Sequence, residues 1–229
     1  MNKDILLCGV GGQGTVLASK LIASAAMHLG NTAHSAETIG MAQRGGSVTS
    51  HIRIGNRAFS PLIPLGKADI ILAFEPSEAV RNLCYLKQDG IVIVNSVPVK
   101  PTTESLNDST YDGVEMIEYL NKKCKCVVVD ADELCKPFGS SKFFNVAILG
   151  VAVGTNATGL NADTIMYEIE HRVPERFVET NKAAFLAGIK IGENAVNISN
   201  VLTLKRKLFE QIVAPQNQIL WKYLSEKGN

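Results

Sequence analysis

Three stretches of this sequence hold residue types whose spacing can do chemistry. The first is Gly9-Val10-Gly11-Gly12-Gln13-Gly14, which fits the pattern G-x-G-x-x-G. Glycines there permit positive φ and close backbone approach. A helix starting just after them turns free N–H groups toward an anion. Gly11, Gly12, Gln13 and Gly14 are therefore candidate ligand contacts. The second stretch is Gln43-Arg44-Gly45-Gly46. An arginine beside two glycines can offer a guanidinium and backbone N–H groups to one carboxylate or phosphate. Glu75 and Glu78 form the third, and the plainer account of Glu78 is a helix start, as a capping-box or dipole partner. Arg81 stands three residues on and is placed to pair with Glu78.

Other chemistries find little support. The five cysteines are Cys8, Cys84, Cys124, Cys126 and Cys135. Cys124-Lys125-Cys126 puts two thiols on one strand face without a third ligand, so buried strand cysteines are the better reading. His28, His34, His51 and His171 show no ligand spacing, and surface or interface placement is expected of them. Asn145 and Asn181 lie in apolar helical stretches and are expected to make buried structural hydrogen bonds. No G-x-S-x-G elbow suggests a hydrolase. No side chain stands out as catalytic.

The elements that must position these residues read as follows. Ile5–Cys8 is a buried strand, and residues 13–29 carry a helical stripe ending at Gly30-Asn31. Residues 32–36 make a weak second strand, and Ser47–Ile54 alternates apolar with polar residues. The prolines of Ser60–Gly66 mark a loop. Ile70–Phe74 and Ile91–Val94 are continuous apolar runs of the kind found in central parallel strands. Ser77–Leu86 between them has helical spacing, and Pro98–Asp112 is a polar loop. Val114–Lys123 is a helix and Cys126–Val129 a strand. Helices follow over Phe143–Gly154, Asp163–Glu170 and Glu175–Ile191. This alternation predicts a three-layer α/β/α domain over residues 1–195, with a mostly parallel or mixed sheet. Residues 196–229 form a C-terminal helical extension whose apolar stripe is expected to fold back on the domain. Both glycine segments then fall near strand ends, where open α/β sheets place ligands.

Composition narrows the classes further. Across 229 residues, 23 Lys and Arg face 22 Asp and Glu, a net charge of +1. Such balance excludes a strongly basic nucleic-acid binder and an acidic disordered chain. The N-terminal run Ile-Leu-Leu-Cys is too short for a signal peptide, and no stretch reaches a membrane span. Unpaired cysteine usage fits reduced thiols, so a cytoplasmic location is expected, with neither membrane nor nucleic acid as partner.

Several unlinked motifs occur in one order: GVGGQGTVLASKLIASAA, GMAQRGGSVTSHIRIG, SPLI, ADIILAFEPSEAVR and GIVIVN. Together they resemble the gamma (catalytic-domain) module of the 2-oxoacid:ferredoxin oxidoreductases. The GMAQRGGSV and EPSEAVR forms are similar to the small (beta) subunit of the indolepyruvate branch. The resemblance continues through Asn145 in KFFNVAILG and Asn181 in ERFVETNKAAFLAG, covering about residues 3–190. It implies an enzyme that decarboxylates a 2-oxoacid, an aryl pyruvate foremost, with thiamine diphosphate. The acyl group passes to coenzyme A, and electrons leave through iron–sulfur clusters to ferredoxin.

This chain lacks the G-D-G…N signature for magnesium and thiamine diphosphate, and it has no C-x-x-C-x-x-C run for a cluster. The resemblance therefore implies that magnesium, thiamine diphosphate and iron–sulfur clusters sit on a large partner chain. This subunit would bind no cofactor alone and would not be active alone. Gly11–Gly14 and Gln43–Gly46 would face coenzyme A, as co-substrate, or the partner's site. From the residues by themselves an alternative stays open: an independent NAD(P)- or FAD-binding Rossmann-like protein using Gly9–Gly14. That reading needs an acid at the end of the second strand, and Glu37 stands near that position.

Overall fold

Period-two alternation in the apolar runs decides which helices cover which face of the sheet. In the computed structural model, residues 1–39, 46–56, 59–99 and 111–208 are described. The strands are β1 (Lys3–Val10), β2 (Ala33–Ile39), β3 (Ser47–Ile54), β4 (Ala68–Ala73), β5 (Leu86–Asn95) and β6 (Lys125–Val129). They form one sheet in the order β2-β3-β1-β4-β5-β6. β1, β4, β5 and β6 run parallel, while β3 is antiparallel to both β1 and β2. Ile5 and Leu7 face one core with Ile70, Leu72 and Ile93, whereas Leu6 and Cys8 face a second core with Ile71, Val92 and Val94. The first core is covered by α1 (Thr15–His28), α5 (Phe144–Gly154), α6 (Ala162–Arg172) and the early part of α7 (Glu175–Leu208). The second is covered by α2 (Pro76–Arg81) and α3 (Val114–Lys123). The architecture is three-layered and the sheet is mixed.

Four elements depart from the sequence reading, the first three with local causes. The helix expected over Ser77–Leu86 stops at Arg81 and gives way to a single 3₁₀ turn, Leu83–Tyr85. Asn82 ends it, donating from its backbone N–H and its Nδ2 to the Glu78 carbonyl. β5 begins at Leu86, well before its apolar run, with Lys87 ion-paired to Asp69 of β4 at 2.5 Å. A short helix α4 (Ala131–Cys135), capped by the Asp130 carboxylate, follows β6 and went unread. α7 does not end near Ile191 but continues to Leu208. The chain divides into compact units over Met1–Gly192 and Glu193–Asn229.

His51 is a correction of a different kind. Expected at the surface or an interface, it is instead 5% exposed within the fold, because Ile63 of the proline loop is buried beside it. Its Nδ1 accepts the Ile63 N–H at 3.2 Å, and Tyr85 stands edge-on to the ring. Burial lowers its pKa from 6.5. The unfolded chain therefore takes up the proton first as pH falls, so this contribution to stability is complete above about pH 6.5 and lost below it. Denaturant unfolding between pH 7.5 and 5.5 checks this. His51→Gln is expected to flatten the decline; an unchanged slope would remove His51 as its cause.

Candidate functional site at the strand ends

β1, β4 and β5 end at Val10, Ala73 and Asn95 on one edge of the sheet. Because β3 runs the other way, its first residue, Ser47, pairs with Val10 at that same edge. The Gly11 N–H donates to the Gly46 carbonyl at 2.9 Å, joining the turn after β1 to the end of the Arg-Gly-Gly segment. Gln43, Arg44 and Gly45 lie outside the described residues. Gly12 and Gly14 have φ of 100° and 81°, the left-handed region that favours glycine. Gln13 commits both ends of its amide to the fold. Its Oε1 accepts from the Val10 N–H at 2.7 Å, and its Nε2 donates to the Phe74 carbonyl at 3.0 Å. This clamp holds the turn against the end of β4.

Beside the turn opens a cleft of about 380 Å³, lined by Gly12, Gly14, Asn95, Asp132, Lys142 and Asn145 among others. Asn95 had no reading from sequence beyond closing the run GIVIVN. Its Nδ2 donates to the Phe74 and Val97 carbonyls, and its Oδ1 accepts from Val97 and Ala131 N–H groups at 3.1 Å. One amide thereby ties the ends of β4 and β5 to the start of α4. Asn181 is structural, as expected, donating to the Phe177 carbonyl at 2.8 Å. Asn145 is only half so: its Oδ1 accepts the Val146 N–H at 2.9 Å, and its Nδ2 faces Gly14.

Two carboxylates are buried on the other side of the β4 end. Glu75 is 1% and Glu78 4% exposed. Glu75 caps α2, accepting from the Glu78 N–H at 3.0 Å and from the Ser77 hydroxyl, while its other oxygen accepts from the Tyr111 hydroxyl. Glu78 accepts from the Ser47 hydroxyl at 2.6 Å and lies 3.6 Å from Arg81. The cap is Glu75, a role not expected of it from sequence, whereas Glu78 stands in the first turn of α2 and pairs with Arg81 as expected. Burial and the bond to Glu75 push the Tyr111 hydroxyl up, which keeps it a donor. Burial, then the charges of Glu78 and Glu75, raise the Cys8 thiol. The Cys126 thiol is pushed up to about 12 by burial and by Cys124. These are inert thiols rather than thiolate ligands. Among the described residues, no group of three or more His, Cys, Asp or Glu is placed to hold a metal ion. No described helix is long and apolar enough to cross a membrane.

The dinucleotide alternative loses its acid. Glu37 sits on β2, and β3 intervenes between β2 and β1, so it stands two strand spacings away, roughly 9–10 Å. Its carboxylate also accepts the Ser19 hydroxyl of α1 at 2.9 Å.

Residues 4–191 match the family Pyruvate ferredoxin/flavodoxin oxidoreductase. The chain belongs to this family. Indolepyruvate oxidoreductase subunit IorB of Pyrococcus horikoshii is 35% identical over 198 residues, covering 85% of this chain and 98% of that protein. The common gamma subunit of the pyruvate/ketoisovalerate oxidoreductases of Pyrococcus furiosus is 33% identical over 160 residues, 69% of this chain and 78% of that one. The crystal structure of a keto/oxoacid ferredoxin oxidoreductase gamma subunit from Geobacter sulfurreducens has the same fold. Its TM-score is 0.62 at 24% identity, over 84% of this chain and 99% of that one. Within the pyruvate ferredoxin/flavodoxin oxidoreductase family this chain is thus of the gamma type. The glycine turn, the β3 start and α5 all lie inside the matched region.

Proposed function

We propose that this chain is the small subunit of an enzyme that converts an aryl 2-oxoacid, indolepyruvate foremost, with coenzyme A and oxidised ferredoxin. The products are the acyl-CoA, CO2 and reduced ferredoxin. The co-linear likeness to the indolepyruvate oxidoreductase subunit over 98% of that subunit's length carries this reading. Thiamine diphosphate, magnesium and iron–sulfur clusters belong to a larger partner chain, since their sequence signatures are missing here. The thiamine cofactor supplies the electron sink for decarboxylation. This chain's part is binding: Gly11, Gly12, Gln13 and Gly14, with Gln43, Arg44, Gly45 and Gly46, present an edge to an anionic group of coenzyme A or a carboxylate of the partner.

The test is reconstitution. Purified anaerobically, the chain alone is expected to hold no stoichiometric iron and to show no oxoacid-dependent reduction of an artificial acceptor. Adding the large subunit restores turnover, with indolepyruvate preferred over pyruvate and 2-oxoglutarate. Turnover by the small chain alone, or none after combination, would refute the reading.

A further inference from the structure

β6 closes one end of the sheet, and among the described residues it pairs only with β5. The Val129 carbonyl accepts the Ser96 N–H on the β5 side. Backbone groups alternate in direction along a strand, so those of Cys126 and Val128 point to the free edge. The strand reads Lys-Cys-Val-Val-Val, and Val128 is 39% exposed. The opposite edge, β2, carries His34, Ser35, Glu37 and Thr38 instead. Polar and charged side chains of that kind blunt an edge, whereas a bare β-branched edge is a template for another strand.

Beside this edge lies a groove of about 730 Å³. Val128, Val129, Leu134, Phe138, Leu186 and Ile191 line it, and Leu186 of α7 is 43% exposed. Contiguous exposed apolar surface marks a contact with protein. Charge says which protein. Lys122, Lys123 and Lys125 precede the valines, and Asp130, Asp132 and Glu133 follow them, all exposed. Lys123, Lys125, Asp130 and Asp132 form no ion pair among the described residues. An edge that is basic at its start and acidic at its end repels a parallel copy of itself and complements an antiparallel one.

We infer that two copies of this chain pair edge to edge through β6, antiparallel about a two-fold axis at Val127, joining two six-stranded sheets into one. In that register Cys126 of each copy stands opposite Val128 of the other. These are the residues whose backbone groups point outward, so each such pair exchanges two N–H···O bonds. Lys125 of each copy comes beside the Val129-Asp130 end of the other. The two apolar grooves flank the same seam and meet across it, as an isologous contact requires. The inference concerns self-association and stands apart from the proposed reaction.

Sedimentation equilibrium of the full chain at micromolar concentration, alone and with the large subunit, tests this. The chain alone is expected to have twice its own mass, and added salt should weaken the dimer. Lys125→Glu turns two attractive contacts into two repulsive ones and should weaken association about tenfold or more. Glu133→Lys should weaken it likewise. An equimolar mixture of those two variants should dimerise again, because one copy then carries both acids and the other both cations. Val128→Pro deletes an outward N–H without touching the β5 pairing, and should also dissociate the dimer. Lys125 is exposed, so its variant keeps the test decisive even where Val128→Pro folds poorly. A monomeric wild type overturns the inference. So does a dimer that Lys125→Glu and Val128→Pro both leave unchanged, or one that the mixed variants fail to restore. Weakened binding of the large subunit by a chain that is monomeric on its own also overturns it, and assigns the edge to that larger chain.

Discussion

Replacing Gly188 with alanine is expected to lower the melting temperature by roughly 6–20 °C, although alanine is the better helix former. The propensity gain is about 1 kcal/mol in favour of alanine. Against it stands the contact of two backbones. A Cβ at Gly188 of α7 would lie 2.0 Å from the Ala147 carbonyl oxygen of α5. The relation is reciprocal: Cβ atoms at Gly150 and Gly154 of α5 would lie 2.1 and 2.2 Å from the carbonyl oxygens of Phe185 and Ile189. No flexible side chain can yield there, so α5 and α7 must part. Ala147, Val151 and Phe185, all fully buried, would then lose their packing. Overpacking costs about 1–3 kcal/mol and occasionally more. Loss of packing along a helix pair places the net near 3–5 kcal/mol, at about 2–4 °C per kcal/mol for a chain of this size. Glu179→Ala, on an exposed position of the same helix, is the control. A melting temperature for Gly188→Ala equal to or above the wild type would show that the helices can separate freely.

The same helix pair shows what the sequence could and could not disclose. The run Phe144–Gly154 is buried at every position, so its apolar content announced a core helix. Nothing local announced which of its residues touch α7, because spacing along one helix does not name the neighbour. The sheet repeats the lesson. Runs such as Ile70–Ala73 and Ile91–Val94 were legible because both their faces are covered. The antiparallel insertion of β3 between β2 and β1 was not, since pairing partners are a tertiary choice, and it is what separates Glu37 from the glycine turn. At the candidate site, glycines at Gly12 and Gly14 could be read because positive φ restricts residue type. Asn145 resembled Asn181 in sequence, each a lone amide in an apolar helix. Only their hydrogen-bond partners distinguish them: Asn181 Nδ2 has an acceptor and Asn145 Nδ2 has none among the described residues. His51 was misjudged for a related reason, its burial being decided by a loop twelve residues on.

Arg44 carries the remaining large effect, and the assembled enzyme is where it should be measured. Its segment ends at Gly46, whose carbonyl receives the Gly11 N–H, so the Arg-Gly-Gly stretch terminates on the glycine turn. If Arg44 serves a ligand or the partner chain rather than the fold, Arg44→Ala should leave the melting temperature almost unchanged. A charge-assisted contact to phosphate or carboxylate is worth about 1.5–3 kcal/mol. Its loss corresponds to about 10- to 150-fold in an affinity or rate constant. Arg44→Lys should recover only part, because lysine keeps the charge and loses the planar two-point geometry. Three quantities separate the possible roles: KM for coenzyme A, kcat, and the Kd between the two subunits. A rise in KM assigns Arg44 to the co-substrate, and a rise in Kd assigns it to the interface. A fall in kcat alone assigns it to charge that develops during the reaction. Changes below about twofold in all three, far short of such a contact, would make the Arg-Gly-Gly segment a solvated turn.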